Sequence, residues 1–246
     1  MDDDAQVLEI DNFVSENTVA VLGFVEATTL GLLTSSFLIE QEKLHQVAQL
    51  KSIHIPPVTV FIGGKLRSPF RIYIRKDGKL MVITCEVPID DTGLYEISSA
   101  LLDWLQKKMV KEIVVIDGIP VKGIPTERPV YVAAEANNIK KFSNIGVSNA
   151  ESAIIAGMGG AIINESLGKK MTALSLMTLS SVDIPDPGAV LSIVDVLNKV
   201  YELKVDTKIL EESVKKLHEE MNKVIDQYNK IQETKSGKVP EPSIYG

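Results

Sequence analysis

The chain predicts a three-layer α/β/α fold built on a mixed sheet. Three features carry that expectation. Apolar, β-branched runs alternate with helical stripes through both halves, and hairpin turns interrupt the alternation early. Several runs are also apolar at every position, as in strands covered on both faces. At 246 residues, one large α/β domain can absorb most of the length.

Thr18-Val19-Ala20-Val21-Leu22-Gly23-Phe24 reads as a buried strand. Leu30, Leu33, Phe37 and Leu38 then recur at helical spacing, so residues 29–43 form a helix. A strand, a glycine turn and a helix in succession resemble a phosphate-binding unit. Yet residues 23–31 hold neither the dinucleotide glycine spacing nor a P-loop lysine, and Glu26 at the helix start repels an anion. Strands follow at 58–62, 70–74 and 80–85. Gly63-Gly64 and Lys76-Asp77-Gly78 between them carry hairpin chemistry, so this part is antiparallel, and Pro56-Pro57 marks an edge or a strand start.

Leu94, Ile97, Leu101, Leu102, Leu105 and Met109 lie on one face of a helix over 92–109, with Trp104 packing at its flank. Ile113-Val114-Val115-Ile116 is a parallel strand ending at Asp117-Gly118, and 130–133 is another strand. Gly157-Met158-Gly159-Gly160 opens a helix that ends near Lys170; its glycines either admit a ligand to the backbone or allow a tight strand-to-helix turn. Residues 173–179 form the last strand. Asp186-Pro187 then starts a helix with Val190, Leu191, Val194, Leu197, Val200 and Tyr201 on its apolar face.

The final helix differs in kind. From Asp206, the residues Leu210, Val214, Leu217, Met221, Val224, Tyr228 and Ile231 step by four and three in turn, a heptad seam flanked by Lys and Glu. Such a seam packs against its own domain or joins subunits. Beyond it, Ser236-Gly237-Lys238-Val239-Pro240-Glu241-Pro242-Ser243 discourages helix and strand and reads as an extended tether ending in Ile244-Tyr245-Gly246. The expected division is a core over 1–205, the long helix over 206–233 and the tail over 234–246. Fully stretched, the chain after residue 233 reaches on the order of 45 Å.

A net charge of −7 argues against nucleic acid as main partner, which requires a basic face. The acidic Met1-Asp2-Asp3-Asp4 is unlike a signal peptide, and no apolar run is long enough for a membrane span, so the expectation is a soluble cytoplasmic protein. The single cysteine, Cys85, sits in an apolar run as a small buried hydrophobe. Catalytic groups are sparse: His45, His54 and His218 are scattered, no serine lies in a nucleophile elbow, and no cofactor motif is present. Glu86, Asp117 and Glu135 follow or end strands, where an open α/β sheet places a site, and Asp90 and Asp91 could join them around a metal or as a general base.

Several segments together resemble the proteasome assembly chaperone family, in particular its archaeal members. They are Val21-Leu22-Gly23-Phe24, Ile55-Pro56-Pro57, Arg71-Ile72-Tyr73, Glu86-Val87-Pro88, Lys111-Glu112-Ile113-Val114-Val115, Asp117-Gly118-Ile119-Pro120 and Ile184-Pro185-Asp186-Pro187. The charged last helix and the hydrophobic–tyrosine–any-residue ending complete the order. Gly23-Phe24-Val25-Glu26 departs from the glycine–phenylalanine–proline–glycine turn common in the family. The resemblance implies a nucleoside-phosphorylase-like fold, a non-enzymatic chaperone or adaptor, and a homo-oligomer, a ring of about four or five copies. It further implies that Ile244, Tyr245 and Gly246 dock between proteasome α-subunits. Two alternatives stay open: an oligomeric scaffold with a masked tail and another partner, and a nucleoside phosphorylase or hydrolase.

Overall fold

A computed structural model describes residues 5–62 and 64–210, together with 212, 216, 219, 223, 226, 227 and 230. In chain order the elements are β1 (Ala5–Glu9), β2 (Val19–Phe24), α1 (Leu30–Gln41), β3 (His45–Ser52), β4 (Val60–Ile62), β5 (Lys65–Arg67), β6 (Phe70–Ile74), β7 (Leu80–Cys85) and α2 (Leu94–Lys107). They continue as β8 (Glu112–Val121), β9 (Val130–Ala133), α3 (Ala136–Ile139), β10 (Val147–Asn149), α4 (Gly157–Lys169), β11 (Ala173–Ser181) and α5 (Pro187–Tyr201).

Nine strands form one mixed sheet in the order β1-β3-β6-β7-β2-β8-β11-β9-β10. Its centre, β7-β2-β8-β11, is parallel. The β1-β3-β6 flank is antiparallel and joins β7 antiparallel. On the far side β9 runs antiparallel to β11 and parallel to β10. Alternate residues of the central strands feed two cores, as the two-residue period of a strand requires. Val21, Val82, Val114, Ile116, Leu174 and Leu176 pack with α1 and α5. Ala20, Leu22, Met81, Ile83, Ile113 and Val115 pack with α2 and α4. The three-layer α/β/α expectation holds for the described residues, and among them no helix is long and apolar enough to cross a membrane.

The first turn of α1 lies on bare backbone. A Cβ on Gly23 would sit 2.0 Å from the Gly31 carbonyl oxygen, and one on Gly31 would sit 2.8 Å from the Ile116 oxygen. Glycine at both positions lets α1 settle against β2 and β8, closer than side chains would allow. At the other end of the fold, Asp186 caps α5 by accepting the Ala189 N–H at 3.1 Å, with proline next in line, as expected. The chain leaving α5 is clamped. Asn198 donates to the Val205 carbonyl at 3.1 Å and accepts the Val205 N–H at 3.2 Å. Tyr201 donates its hydroxyl to Glu112 of β8 at 2.8 Å, and the Lys141 ammonium pairs with the same carboxylate.

Four expectations need correction. β8 does not end at Asp117-Gly118, because β11 pairs with it to the end, Met177 opposite Asp117 and Ser181 opposite Val121. The ladder hydrogen bonds carry two poor strand formers through. The strand expected at 58–62 is β4, which pairs with β5 in a separate two-stranded hairpin and not with the main sheet. Helix α2 stops at Lys107, and Met109 follows it at φ +54° and exposed, off the expected apolar face. Finally, β1, β3, β5 and β10 escape the sequence pattern: Gln46, Gln49 and Lys51 dilute β3, and a bulge between Gln46 and Ala48 breaks its alternation.

Leu210 is buried with Leu203 and Val205 in the core that α1 and α5 share, so the first residue of the expected seam packs on its own domain. The described positions from 212 to 230 are helical and exposed. Val214, Leu217, Met221, Val224, Tyr228 and Ile231 lie outside the described residues, as do Ile244, Tyr245 and Gly246.

Replacing Gly23 by Ala forces α1 off the sheet and should cost about 3 kcal/mol, the upper range for overpacking, with an unchanged denaturant slope. Urea melts of the two proteins check this.

Candidate functional site

The parallel strands β7, β2, β8 and β11 all point their C-terminal ends to one edge, where an open α/β sheet presents its ligands. After Phe24 the chain turns through residues 25–29 into α1. Thr28 packs against Gly118 so closely that a Cβ there would lie 2.0 Å from its hydroxyl oxygen. That packing leaves Glu26 facing the start of α4. Its carboxylate accepts the Met158 N–H at 2.8 Å, and Gly157 passes beneath it with φ +62° and no room for a side chain.

Beside Glu26 opens a cavity of about 980 Å³. Asp117 and Glu151 add acid to its wall, Tyr131, Met177 and Leu179 add apolar surface, and among the described lining residues there is no lysine, arginine or histidine. Burial pushes the Glu26 carboxyl above the ordinary carboxylate range; the Met158 N–H opposes the shift and the neighbouring Asp117 adds to it. Burial likewise raises Asp117, against the Gly118 N–H, which donates to its carboxylate at 2.8 Å. Three acids on a wall with no base among the described lining residues suit a ligand that donates hydrogen bonds or carries positive charge. A phosphate fits poorly, because Glu26 already occupies the α4 N-terminus that would hold one. The anion-repelling role expected of Glu26 at α1 is thus played at α4.

Of the other candidate carboxylates, Asp91 stands near Glu26, lining a recess with it, Gly157 and Met158 and adding to its upward shift, whereas Glu86, Glu135 and Asp90 do not join this site. Glu86 is buried against Arg71, whose guanidinium grips both its oxygens, one at 2.7 Å, while donating to the Tyr73 hydroxyl at 2.7 Å and the Ser68 carbonyl at 2.8 Å. This pair is structural. Glu135 stands at the opposite edge of the sheet, next to Lys170 and Thr172, because β9 runs antiparallel to β11. Asp90 accepts the Thr92 N–H at 2.9 Å and shapes the turn before α2. His54 contacts Glu96 at 2.6 Å on that same turn. His45 is on β3, and His218 lies outside the described residues. Among the described residues no three metal-ligating side chains gather. Cys85 is fully buried, and burial pushes its thiol up to about 12, so it packs as the small hydrophobe expected. Trp104 is also packing, its indole donating to Glu9 at 2.8 Å.

The Arg71–Glu86 pair and the Glu26 cap were not foreseen as contacts. Arg71 stands alone among apolar residues, and Glu86 follows such a run directly; those interruptions were the available signal. Nothing in the sequence announces that Glu26 meets residues more than a hundred positions later.

The model of the PAC2 family matches residues 20–225. Among solved structures, a protein with unknown function from Thermoplasma acidophilum is 50% identical, with a TM-score of 0.85 over 90% of this chain and 91% of that one. PbaA of Pyrococcus furiosus, described as an archaeal homolog of proteasome-assembly chaperone, is 20% identical, with a TM-score of 0.80 over 93% of this chain and 99% of its own. PbaB of the same organism, described as an archaeal proteasome activator, is 20% identical with a TM-score of 0.75, covering 90% and 99%. These last two show the fold.

Three substitutions probe the edge. Arg71→Met leaves Glu86 buried without its partner and should cost about 3–5 kcal/mol, whereas Arg71→Met with Glu86→Leu should recover most of that loss in urea melts. Asp117 has a raised folded-state pKa, so it favours folding at pH below the ordinary carboxylate range and loses that contribution as pH rises through its folded value. Asp117→Asn should therefore melt higher than the parent at neutral pH, and the two should converge below about pH 4.

Proposed function

The chain belongs to the PAC2 family, and from that premise we propose that it is a non-enzymatic proteasome assembly chaperone or adaptor. It acts as a homo-oligomer in the cytoplasm and docks Ile244-Tyr245-Gly246 into pockets between proteasome α-subunits. The observation that carries this reading is the coincidence of two things in one chain. Its fold matches, nearly end to end, proteins described as a proteasome-assembly chaperone homolog and a proteasome activator. It also carries the hydrophobic–tyrosine–any-residue motif Ile244-Tyr245-Gly246 after a stretch containing Pro240 and Pro242.

Each tail residue has a separate task. Ile244 fills an apolar recess, Tyr245 packs its ring and offers a hydroxyl, and the Gly246 carboxylate meets a partner cation. Burying one such side chain stabilises by about 1.5–3 kcal/mol, and the charge-assisted contact by a similar amount, less the cost of ordering the tether. A single tail is therefore weak. Several on one body act as a multivalent ligand, which is why the division into core, long helix over 206–233 and tail over 234–246 suits an adaptor. The seam from Val214 to Ile231 is assigned to joining copies in this reading, with Leu210 anchoring its first turn to the core. The cavity at Glu26 and Asp117 supports a binding role over phosphorolysis, since the helix end that would hold phosphate is filled by Glu26.

Tyr245→Ala should lower capture of proteasome α-subunits by the assembled protein at least tenfold. One residue added after Gly246 should be nearly as damaging, because it displaces the carboxylate. Pull-down with both variants checks this; capture equal to the parent sinks the docking.

A further inference from the structure

The hairpin of β4 and β5 stands apart from the main sheet. Phe61 and Leu66 are direct partners across it, so their side chains share one face, and they are 66% and 76% exposed. Over residues 58–67 the arm carries Lys65 and Arg67 and no acid. The cavity beside Glu26 is its complement: Glu26, Asp117 and Glu151 with no base among the described lining residues, apolar walls, and Ile154 at the rim, 95% exposed. Each surface supplies what the other lacks in charge, and both leave apolar groups in water.

Their placement in the fold is as informative. β6 begins directly after the hairpin and runs antiparallel to β7, so the hairpin stands at the edge where the parallel strands end, on the β3–β6 flank. The cavity lies at that same edge on the opposite flank, over β8, β11 and β9, with β7 and β2 between them. Complementary surfaces on opposite flanks of one edge make a head-to-tail contact, which closes into a ring when the rotation between copies allows.

We propose that the β4–β5 hairpin of one copy wedges into the Glu26–Asp117 cavity of the next, its Phe61–Leu66 face against the apolar walls and its opposite face, which carries Lys65 and Arg67, toward the acids. The contact rests on the homo-oligomer part of the function proposed above and is independent of the tail. A lone stable pair requires roughly 1,000 Å² of buried surface. In a ring the last contact is intramolecular, so closure strengthens all of them. The charged component also makes assembly salt-sensitive.

The test combines light scattering with trapping by disulfides. Phe61→Asp with Leu66→Asp should reduce the mass of the full chain below that of the parent ring, with the melting temperature kept, since both side chains are exposed and off the main sheet. In trapping, Phe61→Cys protein is mixed with Ile154→Cys protein and oxidised mildly; Cys85 is buried and stays out of the exchange. A covalent pair formed in the mixture, and in neither protein alone, is the expected result. No pair in the mixture overturns the proposal, as does an intrachain bond formed only when both cysteines share one chain, which places the arm in its own cavity. If the arm variant keeps the parent mass while Leu217→Lys with Met221→Lys loses it, the seam alone joins the copies: this inference falls and the adaptor reading stands. A parent of one copy overturns both.

Discussion

The contact between Gly23 and Gly31 is the constraint on which the active edge of this molecule depends. A helix normally packs on a sheet through side chains, at a spacing those side chains set. Here the first turn of α1 meets β2 and β8 backbone to backbone, and the Thr28 side chain presses on the bare Cα of Gly118. The turn over residues 25–29 is therefore held down, and Glu26 is pinned within it. Through Met158 that carboxylate in turn anchors α4, a helix of the opposite layer. Two helical layers that never touch through the sheet are thus tied around its edge by one loop.

A second constraint works where the sheet changes character. β6 and β7 form the junction between the antiparallel flank and the parallel centre, and the Arg71–Glu86 pair is buried across that junction. Such pairs give little net stability against apolar replacements of the same size. Their value lies in register: slipping β6 by one residue would send Arg71 into the opposite core with no acid to meet it. The hairpin of β4 and β5 emerges immediately before this locked strand, so its root is fixed although its faces are exposed.

Much of this architecture was legible in the chain. The β-branched runs at Val19, Ile113 and Ala173 and the cap at Asp186 mark strands and a helix that the structure contains, because burial on both faces and capping are local signals. What failed was what the partner strand decides. Asp117 and Gly118 remain in β8 because β11 pairs with them, and β3 is a strand because β1 and β6 flank it, despite its polar residues. Glu135 was grouped with Asp117 as a carboxylate at a strand end; β9 runs antiparallel to β11, which sends it to the other edge. Glu86 had the right place and the wrong role, since its neighbour in space, Arg71, is fifteen residues away in sequence. The Glu26 cap was invisible for the same reason at greater distance. The seam beyond Leu210 and the terminal tyrosine lie outside the described residues, so for them the sequence remains the source.

The clamp after α5 has a mechanical meaning. Asn198 holds Val205 from both sides, and Tyr201 ties the end of α5 to Glu112 at the root of β8. Any segment that grips a partner through its far end transmits tension back along the chain. In this fold that load does not begin by unwinding α5 from its last turn. It meets first the two hydrogen bonds between Asn198 and Val205 and the Tyr201–Glu112 contact on β8. The chain leaving α5 is thus fastened to the sheet before it departs from the body of the domain.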